Sequence, residues 1–164
     1  DPLDLPGFLK PVERGENVGI ISEAGVPCVA DPGAEIVSIA HRKGLSVKPL
    51  VGPSSILLAL MGSGFNGQQF TFRGYLPFDQ GIRKRVFQAM TKDLKDGITQ
   101  IFMETPYRNN KLVEELLKVI HPETKLCIAC DITLQNEYIE TKTIADWASN
   151  LPDLHKRPTI FLLD

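Results

Sequence analysis

The first part of the chain alternates between short apolar runs and segments of helical spacing, and this alternation constrains the fold most strongly. Residues 18–21 and the segment "LSVKPLVG" (residues 45–52) are predicted to be strands. Each precedes a predicted helix, "AEIVSIAHRKG" and "SSILLALMGSG". A strand–helix–strand–helix order implies parallel strands with right-handed crossovers. The predicted fold class is therefore α/β.

The first of these helices has clear boundary signals. Asp31 is a suitable N-cap residue and Pro32 suits the first helical position. Gly44 is predicted to end the helix.

The second half of the chain has more strands per helix, so a mixed sheet is predicted there. The predicted strands are "FTFRGYLP", "TQIFMET", "KLCIACDI", "EYIETKT" and "RPTIFLLD". The predicted helices are residues 80–94, with Ile82 on the apolar side, then "KLVEELLKVI", capped by Asn109 or Asn110, and "TIADWASNL". "NGQQ" (residues 66–69) is the expected linker. Two α/β lobes are therefore expected, residues 1–66 and residues 67–164.

Composition and charge exclude some classes of protein. No apolar run approaches the roughly 20 residues of a membrane span, and no signal peptide is recognisable. The net charge of −2 gives no global attraction to nucleic acid. Local basic clusters at residues 83–85, at Arg108 with Lys111, and at residues 155–157 are either solvated surface or a rim that contacts phosphates.

The three cysteines fit a reducing cytoplasm rather than a disulfide framework. Cys127 and Cys130 form a CxxC, but both lie in a predicted strand. Residues three apart on a strand point to opposite faces, so both are expected to be buried structural cysteines. The histidines have no metal-ligand spacing, and no metal site is predicted.

Two loops occupy the edge of a parallel sheet where ligands usually bind, outside the carboxyl ends of strands. These are residues 22–33 and residues 51–55. Gly25 and Gly52 allow close approach of backbone to a ligand, and helix N-termini follow. Ordinary crossover turns are the alternative interpretation. No P-loop, dinucleotide fingerprint or nucleophile elbow is present.

A third loop, "METPYRNN", places Glu104 and Arg108 after a predicted strand. An acid and an arginine at a strand end suggest a functional site. A surface ion pair or a helix cap is the alternative.

Five motifs together indicate a family. "SEAGVPCVADPG", "PLVGPSS", "FRGYLP", "METPYRNN" and "DITLQNE" resemble, in order and spacing, the landmarks of the tetrapyrrole methylase superfamily of S-adenosylmethionine-dependent methyltransferases. Within it the chain looks most like the branch that methylates a cytidine ribose 2′-hydroxyl in bacterial small-subunit rRNA. Departures are Glu23 for Asp, Val26 for Thr, Tyr107 for His, and residues 130–134 for Arg-Glu-Leu-Thr-Lys.

The resemblance implies two α/β lobes that hold S-adenosylmethionine between them, with the N-terminal lobe truncated here. It also implies rRNA or the small ribosomal subunit as partner, a homodimer and a cytoplasmic location. We expect the chain to be a piece of a longer protein with an incomplete cofactor site. The residues that the resemblance places along the cofactor are Gly25, Val26, Pro27, Val29, Ser54, Ser55, Ile56, Glu104 and Ala129.

Methyl transfer is an in-line displacement in which the protein mainly aligns donor and acceptor. A ribose hydroxyl is a poor nucleophile, so Glu104 is the predicted base and Arg108 the predicted phosphate anchor. Two alternatives stay open: a methyltransferase for a tetrapyrrole or another small molecule, and a non-catalytic relative that binds S-adenosylmethionine.

Overall fold

The computed structural model describes residues 7–164 and divides the chain into two compact units, Asp1–Ser54 and Ser55–Asp164. The first unit contains a 3₁₀ helix (Gly7–Leu9), α1 (Lys10–Glu13) and α2 (Ala34–Arg42). Its small buried core consists of Leu9, Ile39 and Ala40.

The two strands predicted in the first unit do not form. Residues 18–21 and residues 45–52 are irregular, and Ile21, Leu50 and Val51 are almost fully exposed. A strand is stable only when a neighbour completes its hydrogen-bond ladder, and within residues 7–54 neither segment is paired in a ladder. The prediction was wrong because apolar pattern alone does not supply that neighbour.

The start of α2 also differs from the prediction. The N-cap is Gly33, with φ of 123°, rather than Asp31, and Pro32 lies outside the helix. The Pro32 carbonyl instead accepts a hydrogen bond from the Cys28 N–H, at 3.3 Å, which closes the loop before the helix. The end of the helix agrees with the prediction: α2 stops at Arg42, and Gly44 follows with a left-handed φ of 68°.

The second unit is built on one five-stranded mixed sheet, as the sequence predicted. The strands are β1 (Phe70–Tyr75), β2 (Thr99–Met103), β3 (Lys125–Cys130), β4 (Tyr138–Thr143) and β5 (Thr159–Leu163). Their order across the sheet is β1-β2-β5-β3-β4. Only the β1–β2 pair is parallel, and every other pair is antiparallel.

One face of the sheet is covered by α3 (Ser55–Ser63), which contacts β3, β4 and β5. Ile56, Ala59 and Leu60 from this helix form a buried cluster with residues of those strands. The helix therefore lies in the same compact unit as the sheet, so that unit begins at Ser55 and not after the expected linker at residues 66–69. In the structure these linker residues form the turn between α3 and β1.

The other face is covered by α4 (Gln80–Lys95), α5 (Asn109–Val119) and α6 (Ile144–Trp147). The Asp79 side chain caps α4 by accepting a hydrogen bond from the Ile82 N–H, and Thr143 caps α6 in the same way. Met90, Phe102, Leu116, Trp147 and Phe161 are fully buried in this larger core. None of the helices within residues 7–164 is long and apolar enough to cross a membrane.

Two neighbouring residues of α3 allow a matched test of whether this helix packs against the sheet of the second unit. We expect Leu60→Ala to lower the free energy of unfolding by about 2–4 kcal/mol, because Leu60 is buried against the sheet. Met61→Ala, at the next position and 79% exposed, should change it by less than about 0.5 kcal/mol. Urea denaturation of both variants measures the difference, and equal losses would contradict this packing.

The cysteines confirm the expected strand geometry. Cys127 and Cys130 are fully buried and belong to the two different core clusters on opposite faces of the sheet. Burial raises the pKa of both thiols above the ordinary value.

We expect Cys127 and Cys130 to resist iodoacetamide in the native protein at a pH of about 9, while the half-buried Cys28 is modified. Peptide mass spectrometry checks the pattern. The buried neutral thiols make their full contribution to the free energy of unfolding at pH values below about 8.5, the pKa of a cysteine in the unfolded chain. It falls as the pH rises above that value, because only the unfolded chain then releases these protons. Rapid labelling of Cys127 under native conditions would contradict the buried position.

Candidate functional site

Three of the five sequence motifs meet at one edge of the sheet of the second unit. β1, β2 and β3 end at this edge, and β5, which is antiparallel to β2 and β3, begins there. The segments that follow or precede these strand ends are residues 76–79, 104–108, 131–137 and 155–158. Three motifs that are distant in sequence therefore lie at this edge: "FRGYLP", "METPYRNN" and "DITLQNE".

The end of β1 is bent by a bulge. The register with β2 shifts between Phe72 and Tyr75, and Gly74 between them has a left-handed φ of 66°. This backbone conformation favours glycine. After the bulge the Leu76 N–H still bonds to the Met103 carbonyl at 3.1 Å, so the motif leaves the sheet at a fixed point.

Glu104 is a buried carboxylate in a network of arginines. Its Oε2 accepts a hydrogen bond from Nη1 of Arg83 at 2.9 Å and lies 3.8 Å from Nε of Arg108. Its Oε1 accepts a bond from the Thr105 N–H at 2.9 Å. The structure thus brings the two predicted catalytic residues, Glu104 and Arg108, together.

Arg83 is the residue that sequence reasoning missed. The basic run at residues 83–85 suggested a solvated face or a rim, yet Arg83 is 1% exposed. Its Nε donates to Glu115 at 2.8 Å and its Nη1 to the Pro77 carbonyl at 3.1 Å. Burial alone would lower the pKa of Arg83, but its bonds to Glu115 and Glu104 raise the pKa overall, so the guanidinium stays charged.

The position of Arg83 on α4 could have indicated from the sequence that this side chain is buried. Arg83 lies four residues before Phe87 and seven before Met90, which places it on the buried stripe of α4. Ile82, which was predicted on that stripe, is 49% exposed. Phe87 and Met90 are buried and Val86 and Leu94 pack against the core, so the buried side of the helix differs from the prediction only at Arg83 and Ile82.

The loop after β3 is held by a second arginine. Asp131, buried and with φ of 50°, accepts a hydrogen bond from Nε of Arg157 at 2.7 Å. Arg157 also donates to the Asn136 carbonyl at 3.0 Å and the Asp153 carbonyl at 3.2 Å. The bond to Asp131 raises the pKa of Arg157, although partial burial opposes this shift.

Asn109 and Asn110 do not cap α5, because no side-chain cap bond is present and the N-cap position belongs to Arg108. Nδ2 of Asn109 donates to the Arg157 carbonyl at 2.7 Å, and Oδ1 of Asn110 accepts from the Leu154 N–H at 2.8 Å. Both amides therefore fasten the segment before β5 to the start of α5. The prediction failed because distant backbone groups compete for these side chains.

The two sequence-predicted loops of the first unit approach each other within that unit. A side chain at Gly52 would lie 3.7 Å from Cγ1 of Val26. Gly25 has φ of 71°, and the space beside its Cα is open. Pro27 is half-buried and Val29 is 47% exposed.

The remaining candidates for cofactor contact lie at the unit boundary and in the second unit. Ser54 is half-buried, and Ser55 is exposed at the first position of α3. Ile56 and Ala129 are buried in the same cluster between α3 and the sheet. The side chains of these last two residues therefore serve packing.

The family follows from a comparison with known sequences. A family model described as Tetrapyrrole (Corrin/Porphyrin) Methylases matches residues 8–148. The chain therefore belongs to the tetrapyrrole methylase family.

Several curated relatives carry the name ribosomal RNA small subunit methyltransferase I. The one from Mesorhizobium japonicum is 33% identical over 139 residues, which is 85% of this chain and 46% of the relative. Those from Vibrio cholerae and Haemophilus influenzae are 31% and 28% identical, over 80% and 96% of this chain and 45% and 56% of the relatives. The chain thus spans about half the length of these relatives.

A solved structure supports the fold assignment. The crystal structure of the methyltransferase CobJ matches with a TM-score of 0.65 and 16% identity, over 98% of this chain and 71% of that one. At this identity the likeness shows the fold alone.

The ion pairs around Arg83 lead to a prediction about the free energy of unfolding. Arg83→Met should lower the free energy of unfolding by about 3–5 kcal/mol, because it leaves Glu104 buried without its partner. Adding Glu104→Gln should make the combined loss smaller than the sum of the two single losses, since the unpaired charge is gone. Urea denaturation of the double-mutant cycle measures this coupling.

Arg85→Met is the matched control, because Arg85 is exposed on the same helix. It should change stability by less than about 0.5 kcal/mol. Strictly additive losses for Arg83 and Glu104 would contradict the network.

Proposed function

We propose that the protein is an S-adenosylmethionine-dependent methyltransferase that acts on a ribose 2′-hydroxyl of small-subunit rRNA. The observation that carries the proposal is the similarity over most of the chain to relatives named ribosomal RNA small subunit methyltransferase I. The gathering of three family motifs at one sheet edge supports a site that includes this edge.

The first unit fits a role in holding the cofactor. Open space beside Gly25 leaves backbone polar groups accessible, while Val26 and Val29 offer apolar surface to an adenosyl group. We infer that Gly25, Val26, Pro27, Val29 and Ser54 contribute to binding, together with Ser55 at the start of α3. When bound, S-adenosylmethionine supplies a methyl group on a sulfonium that leaves as a neutral thioether.

The roles of Glu104 and Arg108 follow from their surroundings. Arg108 keeps part of its guanidinium exposed, with side-chain exposure of 27%, and we assign it to a phosphate of the substrate. Glu104 is buried and both of its carboxylate oxygens are engaged, Oε2 with Arg83 and Oε1 with the Thr105 N–H. These contacts favour a positioning role for Glu104 over the base that the sequence suggested.

A tetrapyrrole or other small molecule is the second candidate substrate. The family description favours it, and so does the absence of net positive charge on the chain. A non-catalytic relative that binds S-adenosylmethionine is a third candidate, and the changed fifth motif at residues 130–134 favours it. We further infer a cytoplasmic homodimer from the family resemblance.

The deciding experiment supplies tritiated S-adenosylmethionine to protein expressed from the complete gene. Small ribosomal subunits that lack ribose methylation and a porphyrin pool serve as competing acceptors. We expect label in the rRNA at a nuclease-resistant 2′-O-methyl linkage. Label in the porphyrin alone, or cofactor binding without any transfer, would overturn the rRNA assignment in favour of the second or third candidate.

Cofactor binding has its own test at Gly25. Gly25→Ala should weaken S-adenosylmethionine binding about fivefold or more in calorimetry, because a left-handed alanine costs roughly 1–2 kcal/mol and displaces the loop. Gly15→Ala is the control, since Gly15 has φ of 87° and equally open space but lies outside the proposed loop. Equal affinities of the two variants would remove Gly25 from the site.

A further inference from the structure

Exposed aromatic and basic side chains cluster at the sheet edge of the second unit. We call this cluster the aromatic–basic surface, and it consists of Phe78, Tyr107, Arg108, His155 and Lys156. Phe78 and Tyr107 are 66% and 70% exposed. Single exposed apolar residues are ordinary, but two aromatic rings at one edge, each with a cation beside it, are a feature that needs an explanation.

Each exposed ring is paired with a positive charge. The guanidinium carbon of Arg108 lies 4.4 Å from the centroid of the Phe78 ring, and Nζ of Lys156 lies 5.6 Å from that of Tyr107. The His155 ring meets the Tyr107 ring edge-on, with the centroids 5.9 Å apart. Tyr107 and Arg108 are neighbours in a 3₁₀ helix (Pro106–Arg108). This short element therefore contributes one member to each of the two ring–cation pairs.

The backbone under this surface is firmly held. The Lys156 N–H donates to the Pro106 carbonyl at 3.0 Å, and the Arg108 N–H donates to the Thr105 carbonyl at 2.8 Å. Asn109 ties the start of α5 to the Arg157 carbonyl. Side chains on a fixed backbone lose less conformational entropy when they bind a ligand.

Cations lie against the two exposed rings at this edge. The buried acids are paired: Glu104 with Arg83 and, at 3.8 Å, with Arg108, and Asp131 with Arg157, while Arg83 also pairs with Glu115. The cations of Arg108 and Lys156 are partly exposed beside the rings. Asp79, Glu137 and Asp153 are exposed acids in the segments at or beside this edge, and the hydrogen bond from Asn110 lowers the pKa of Asp153.

We propose that the aromatic–basic surface binds unpaired nucleotides of the RNA substrate, with bases stacked on Tyr107 and Phe78 and phosphates near Arg108 and Lys156. Exposed rings beside cations match a single strand, whose base faces are free, better than a duplex, whose bases are stacked already. The proposal rests on the proposed function for its choice of RNA. It adds that the target nucleotide is presented in an unpaired segment.

The experiment measures fluorescence anisotropy of a labelled RNA of about ten unpaired nucleotides, without S-adenosylmethionine. Tyr107→Ala and Phe78→Ala should each weaken binding about fivefold or more, since each removes a stacking surface. Tyr107→Phe, which keeps the ring, should bind like the parent protein. Lys156→Ala should reduce the slope of log affinity against log salt by about 0.7, as expected for one phosphate contact on a single strand.

Lys92→Ala is the charge control, because Lys92 is exposed on α4 well away in sequence from these segments. It should leave the salt slope unchanged. The same RNA annealed to its complement should bind more weakly than the single strand. Unchanged affinity in Tyr107→Ala, or equal affinity for duplex and single strand, would overturn the proposal.

The design separates this proposal from the proposed function. RNA binding that depends on Tyr107 but occurs without methyl transfer would count against the methyltransferase assignment alone. Methyl transfer to rRNA that persists at full rate in the Tyr107→Ala and Phe78→Ala variants would count against the aromatic–basic surface alone.

Discussion

One buried guanidinium holds together the sheet edge on which the proposed site depends. Arg83 reaches from α4 to the Pro77 carbonyl after β1, to Glu104 after β2 and to Glu115 on α5. Burying these charges costs solvation free energy, so the network is weak evidence for net stability. The network instead fixes geometry. The polar groups after β1, after β2 and on α5 all have a partner only when these three segments are arranged around Arg83.

Arg157 has the same function on the neighbouring strands. It joins Asp131 after β3 to the segment that leads into β5, and a residue with a left-handed φ is held in place there. The family resemblance predicts an arginine and a lysine in the fifth motif, whereas this chain has Cys130 and Leu134. Partly exposed positive charge at this edge therefore comes from other positions, including Arg108 and Lys156.

Much of the second unit could be predicted from the sequence because its signals are local. All five segments predicted to be strands form strands, and the apolar spacing in residues 80–94 predicted α4. The predicted strands of the first unit failed because strand formation needs a partner that the pattern cannot provide. The site was found in part: Glu104 and Arg108 follow from their place after a strand, while Arg83 was assigned to the surface with its basic neighbours.

The sequence by itself determined the family and the position of each motif after a strand or before a helix. Order and spacing along the chain carry that information. Only the tertiary structure decided which motifs meet, which charges are compensated by burial and pairing, and which rings stay exposed. The physical reason is that ion pairs, burial and stacking depend on distances between residues far apart in sequence, as between Arg83 and Glu104 or between Tyr107 and Lys156.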